Sequence, residues 1–194
     1  MEIGKTKIII QPIEEIQENL LRFLKEGLEG IFSFDNLKAE VWEKILSLRD
    51  SEYNRSRGQY KGSKVLERLL NLHYIKKTYR ILGVMDKDLY SRNLNFIFGI
   101  ATSPRSLSSK RSGAALISIT RLRQEFYRKP KNKILFQKRV LKEGVHELGH
   151  TFGLGHCNNY CIMTFSNHLG ETDEKPLEFC KSCSKKLKTY FQNI

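Results

Sequence analysis

The spacing of apolar residues changes several times along the chain, and each change marks an element. Lys7 to Ile10 is a short apolar run with three isoleucines and reads as a buried strand, ended by Pro12. Pro12 suits the first turn of a helix, and Glu14, Glu15 and Glu18 favour the positive end of that helix. Ile13, Ile16, Leu20 and Leu24 give it one apolar stripe, which Gly27 and Gly30 are expected to stop. Between Ile31 and Leu48 no period wins; Ala39 to Leu46 fits a strand or a helix, with Trp42 in the core. Asp50 to Gly62 is polar and reads as a loop. Ser63 is an N-cap for a helix with Val65, Leu66, Leu69 and Leu70 inward and His73 near its end. Arg80 to Val84 predicts a strand, Asp86 and Asp88 a turn, Asn95 to Ile100 a strand, Thr102 to Gly113 a surface loop around Pro104, and Ala115 to Leu122 another strand. Leu141, Val145, Leu148 and Phe152 then follow i, i+4, i+7, i+11 on one face of a helix. Alternating strands and helices predict an α/β layer.

Composition sets bounds on this picture. With 194 residues, 40% hydrophobic and 28% charged, the chain is long enough for one folded domain with a sizeable core. It has no repeat, no low-complexity segment and no apolar run of membrane-spanning length. Residues 1–10 mix charge into their apolar stretch and offer no small-residue cleavage site, so cytoplasm is the expected location. The net charge is +13, and Arg121 to Lys142 holds nine Lys/Arg against one acidic residue. Such a segment can attract nucleic acid. Without interleaved aromatic residues for base stacking, a solvated basic face is the better reading.

The chemistry concentrates in Val145 to Met163, VHELGHTFGLGHCNNYCIM. His146 and His150 are four apart, so on a helix their rings project within about 40° of each other and suit two corners of a metal tetrahedron. The stripe from Leu141 to Phe152 lies on the side away from them. Glu147 is offset by roughly 100°, close to the metal without being a ligand, where it can take a proton from zinc-bound water. His156 lies six residues past His150, and a continued helix would carry it about 600° round and ~9 Å away. The chain must reverse, and Gly153 is placed to cap the helix and let it do so. Histidines 146, 150 and 156 thus form a zinc-ligand set with Glu147 as base.

The only four cysteines are Cys157, Cys161, Cys180 and Cys183. Two closely spaced pairs separated by eighteen residues suit a closed Cys₄ structural zinc. Two disulfides, or a redox pair at Cys180 and Cys183, are the alternatives; the first needs an oxidising compartment and the second leaves two cysteines without a task. Cys157 follows His156 directly, so a structural zinc would steady the loop carrying the third imidazole. Two Zn²⁺ ions per chain are expected, one catalytic and one structural.

His-Glu-x₂-His-x₂-Gly-x₂-His is the metzincin signature. Followed by Cys161-x-Met163 and Cys180-x₂-Cys183, it resembles the archaemetzincins, with Asn93 to Gly99 and Arg57 to Tyr60 as further points of likeness. One spacing departs from the family pattern, three residues instead of four between Cys157 and Cys161. The resemblance implies a mixed twisted sheet with a backing helix and an active-site helix, and a small C-terminal subdomain stabilised by zinc. Residues 1–153 would form the upper subdomain and 154–194 the lower one, in a single catalytic domain. It implies a zinc peptidase acting on peptides or proteins, with Met163 beneath the zinc and an edge strand, here Asn95 to Ile100, pairing with the substrate; a monomer is expected, though not from the resemblance. His168 would be a loop histidine or a group reaching the oxyanion; Tyr160 has no assigned task. The alternative function is a basic binding module held by the Cys₄ zinc, with a silent catalytic site.

Overall fold

The computed structural model describes residues 7–33, 37–72, 80–103 and 113–192. Its centre is a five-stranded sheet. Strand β1 is Lys7–Ile13, and helix α1, Glu18–Ile31, connects it to β2, Lys38–Val41. Further along come the small strands β3 (Tyr53–Asn54) and β4 (Gln59–Lys61), then helix α2, Gly62–Leu70. Next are β5 (Arg80–Met85), β6 (Leu89–Ser91), β7 (Leu94–Ile97), β8 (Gly99–Ala101) and β9 (Gly113–Ser118). The large sheet has the order β2-β1-β5-β9-β8, with β8 alone antiparallel and at the edge. β3, β4, β6 and β7 make a second, smaller sheet.

β1, β5 and β9 are continuous apolar runs because both faces of the sheet are covered. Ile8, Ile10, Leu82, Val84, Ala115 and Ile117 point to the side of α1 and of the long helix α3, Lys133–Thr151. Ile9, Ile13, Ile81, Met85, Ala114 and Leu116 point to the side of α2. The period of two assigns alternate residues to two separate cores. After α3 come α4 (Leu169–Glu174) and α5 (Lys181–Gln192), which pack on the first of these cores through Leu169, Leu187, Tyr190 and Phe191.

Several boundaries differ from the pattern reading. Pro12 lies inside β1, opposite Val84, and Glu14 turns the chain with φ 58°, so α1 begins only at Glu18. Ile13 therefore belongs to the sheet. Gly27 and Gly30 lie inside α1. A Cβ on Gly27 would sit 2.5 Å from Leu141 Cδ2, so this glycine permits close approach of α1 to α3. Ala39 lies in β2, and Trp42 is only partly buried, against the α2-side core. The supposed loop from Asp50 contains β3 and β4, with Gly58 at φ 66° between them. α2 starts before Ser63, straight from Lys61 in β4, and no side chain caps it. Asn95 to Ile100 is two strands, since the chain leaves the small sheet at Phe98 and enters the large one at Gly99. Ala115 to Leu122 is strand only to Ser118 and then a short 3₁₀ turn. His73 and Pro104 lie outside the described residues.

The basic segment is less of a solvated face than its composition suggests. Arg121 pairs with Asp88, Arg123 with Asp86, and the 3%-exposed Arg139 with Asp173. Lys142 Nζ donates to the carbonyls of Thr172 and Asp173. Arg139 and Lys142 thus tie α4 to α3, while Arg121 and Arg123 tie the turn after β9 to the turn after β5.

Candidate active site

α3 starts at Asn132, whose side-chain oxygen accepts from the Leu135 N–H at 3.0 Å. It ends in a Schellman turn: Gly153, at φ 90°, donates to His150 O and Leu154 donates to Gly149 O. The helix end is closed from the sheet side by Arg80, 1% exposed at the first position of β5. Its Nε donates to Thr151 Oγ1 and its Nη2 to the Thr151 carbonyl and the Tyr190 hydroxyl, with the guanidinium 4.8 Å above the Phe152 ring. A cation on the last carbonyls of a helix satisfies both their lone pairs and the dipole.

The reversal brings three imidazoles together. Ring centroids are 4.7 Å apart for His146 and His150, 4.9 Å for His150 and His156, and 5.4 Å for His146 and His156. His146 Nδ1 lies 2.9 Å from Ile162 O and His150 Nδ1 2.8 Å from Leu154 O. A carbonyl only accepts, so both Nδ1 atoms carry the proton and both Nε2 atoms are free to ligate. Those Nε2 atoms are 3.1 Å apart. At zinc–nitrogen distances of 2.0–2.1 Å that separation subtends about 98°, close to a tetrahedral angle. Burial, with the positive charge of Lys175, holds His146 well below the usual imidazole range. Burial also lowers His150 and His156, so the neutral, ligating form is favoured in all three.

Glu147 is 6% exposed, and β8 lies against it: a Cβ on Gly99 would be 2.6 Å from Glu147 Oε1. Burial, and then the negative charge of Glu143, push its carboxyl well above the usual range. Glu143, one turn earlier, forms a buried ion pair with Lys175 at 2.8 Å. A cleft of about 440 Å³ runs between these groups; its walls include Phe96, Phe98, Gly99, Phe165 and Lys175.

The four thiols form a second cluster, free of disulfides. Cys157 Sγ and Cys180 Sγ are 3.8 Å apart, which matches the ~3.8 Å edge of a tetrahedron with 2.3 Å zinc–sulfur bonds. The Cys183 N–H holds the Cys180 thiol down at about 6, despite some burial, so a thiolate forms readily there. Burial pushes Cys161 and Cys183 up.

One tripeptide touches both clusters. Cys161 offers its sulfur to the thiol group and receives the Cys180 N–H at 3.3 Å. The carbonyl of Ile162 orients His146. Met163 packs against Gly149, whose Cβ would collide with the thioether sulfur. The sequence links Cys157 with His156; the link through Ile162 to His146 is new, because a backbone carbonyl leaves no mark in composition. Gly99 lies in a stretch singled out for its family likeness, without a reason at the residue level. Sequence reasoning missed both Glu143 and Lys175; Glu143 had a local signal in its place four residues before Glu147, on the same helix face, whereas Lys175 had none. His168 accepts from the Glu171 N–H at the start of α4 and is 66% exposed, which fits the loop reading; Tyr160 is 78% exposed.

Comparison with known proteins agrees with this architecture. The model of peptidase family M54 matches residues 6–189. The chain belongs to that family, the archaemetzincins, and is a zinc-dependent metallopeptidase. It is 41% identical to the archaemetzincin of Methanocaldococcus jannaschii over 93% of this chain and 92% of that protein. To that of Pyrococcus furiosus it is 39% identical, over 93% and 91%. The crystal structure of the Methanopyrus kandleri archaemetzincin superposes with a TM-score of 0.81 at 30% identity, covering 99% of this chain and 98% of that one. The Archaeoglobus fulgidus structure, complexed with malonate, gives 0.76 at 34% identity, covering 93% and 99%. No described helix is long and apolar enough to cross a membrane.

Proposed function

We propose that His146, His150 and His156 hold one zinc ion, that Glu147 is the general base, and that Cys157, Cys161, Cys180 and Cys183 hold a second, structural zinc. The observation that carries this is the pair of unprotonated Nε2 atoms 3.1 Å apart beside a buried carboxylate. A zinc ion held by His146, His150 and His156 would supply Lewis-acid polarisation of a scissile carbonyl and acidify water. Glu147 takes the water proton and returns it to the departing amine. The protonated Nδ1 atoms of His146 and His150, tied to fixed carbonyls, keep the Nε2 atoms aimed at the ion. Among the described residues β8 is an edge strand of the large sheet with no strand on its outer side, where an extended peptide would add as a further strand over Gly99–Ala101. The reversal at Gly153 separates an upper part, residues 1–153, from a lower part, 154–194, and the peptide lies between them.

The test is a cleavage profile of zinc-loaded protein on a peptide library, with Glu147→Ala as control. The variant is expected to lose turnover by at least about 10²-fold while metal analysis still finds two zinc ions per chain. Undiminished turnover in the variant would remove Glu147 from the mechanism.

A further inference from the structure

Two polar groups in the cleft take no part in the proton transfers of the hydrolysis. The Lys175 side chain, at the C-cap of α4, is 2% exposed and lines the cleft. An ammonium offers three N–H donors. Among the described residues its only side-chain hydrogen bond is to Glu143 Oε1 at 2.8 Å. Ser166 lines the same cleft, and its Oγ is the one buried side-chain nitrogen or oxygen among the described residues without a hydrogen-bond partner. A buried donor left unmade is costly, so these two groups favour an acceptor bound in the cleft.

Chemistry selects the acceptor. A carboxylate has two oxygens and about four lone-pair sites, enough for the spare ammonium donors and a hydroxyl together. A cationic group entering the cleft meets Glu143, whose Oε1 already accepts from Lys175 and Thr172. An apolar group would strand both donors. Glu143 then serves as the anchor that holds the buried lysine in place.

We propose that Lys175 and Ser166 form a carboxylate-accepting subsite, so that the enzyme selects peptides bearing a carboxylate near the scissile bond. That carboxylate is an Asp or Glu side chain or the peptide's own C-terminus. The inference rests on the peptidase reading, and its test separates the two.

Binding is measured by calorimetry on zinc-loaded Glu147→Ala protein, which does not turn over. One peptide pair differs by Glu against Gln with an amidated C-terminus. The other lacks acidic side chains and differs by a free against an amidated C-terminus. The carboxylate member of one pair is expected to bind at least about tenfold tighter, and the pair that responds identifies the source. Ser166→Ala, and Lys175→Met combined with Glu143→Gln, are expected to bring that ratio towards one. The double change removes both buried charges together, so neither is left unpaired. Ser166→Ala removes a hydroxyl without a partner and should leave the melting temperature unchanged. Equal affinities within both pairs, a preference surviving both variants, or no peptide binding at all would overturn the subsite. Peptides that bind with this preference but are never cleaved by wild-type enzyme would overturn the peptidase reading and leave the subsite standing.

Discussion

Gly99 works through the side chain it lacks. With a Cβ 2.5 Å from Glu147 Cγ, an alanine there cannot coexist with the present carboxylate position. Glu147 is held by packing on β8 on one side and the cleft on the other, so it must move by a few tenths of an ångström or more. Small misplacements of a reacting group cost up to ~10²-fold. Gly99→Ala should therefore lower kcat/KM by roughly 10- to 100-fold while zinc content stays at the wild-type value. A loss of metal instead would mean that the helix, and not the carboxylate, had shifted. The imidazoles themselves were legible from spacing alone, because helix geometry and one glycine confine them to a few residues. Gly99, Ser166 and Lys175 were not, since each acquires its meaning from a partner on another element.

Elements show the same contrast. Gly27 and Gly30 look alike in the sequence and were both read as helix stops, yet α1 runs through them to Ile31. Their environments differ: a Cβ at Gly27 meets Leu141 at 2.5 and 2.7 Å, and one at Gly30 meets nothing within 4 Å. Glycine to alanine inside a helix gains about 1 kcal/mol, whereas overpacking a close helix contact costs ~1–3 kcal/mol. Gly30→Ala should thus raise the melting temperature and Gly27→Ala lower it, and thermal unfolding of the two variants side by side checks the opposite signs. Strand cores β1, β5 and β9 could be read because a sheet covered on both faces yields an unbroken apolar run. The ends of elements could not, because Pro12 and Glu14 are placed by pairing with β5 and a left-handed turn, neither of which is local.

At the scale of the molecule, the two proposed zinc sites are joined by Cys161-Ile162-Met163. The joint is directional. Ile162 O orients His146, and the sulfur of its neighbour Cys161 accepts the Cys180 N–H, whereas no imidazole touches a thiol among the contacts described. Cys183→Ser should accordingly reduce the zinc content from two per chain towards none, while His156→Ala should reduce it towards one. Atomic absorption on the purified variants distinguishes this from independent sites, for which each change would remove a single ion. The basic charge also changes meaning at this scale: a stretch read as solvated surface spends Arg121, Arg123, Arg139 and Lys142 on fixing the surroundings of α3.

Arg80 and the Tyr190 hydroxyl meet across 110 residues, at the end of the helix that carries two of the imidazoles. During synthesis, a growing polypeptide that has reached only His156 already holds every nitrogen of the trio, but neither the Tyr190 hydroxyl that meets the guanidinium nor any of the four sulfurs. Such a fragment can aim His150 through Leu154 O but has no Ile162 carbonyl for His146, so the full trio is expected only once the chain beyond α3 has been made.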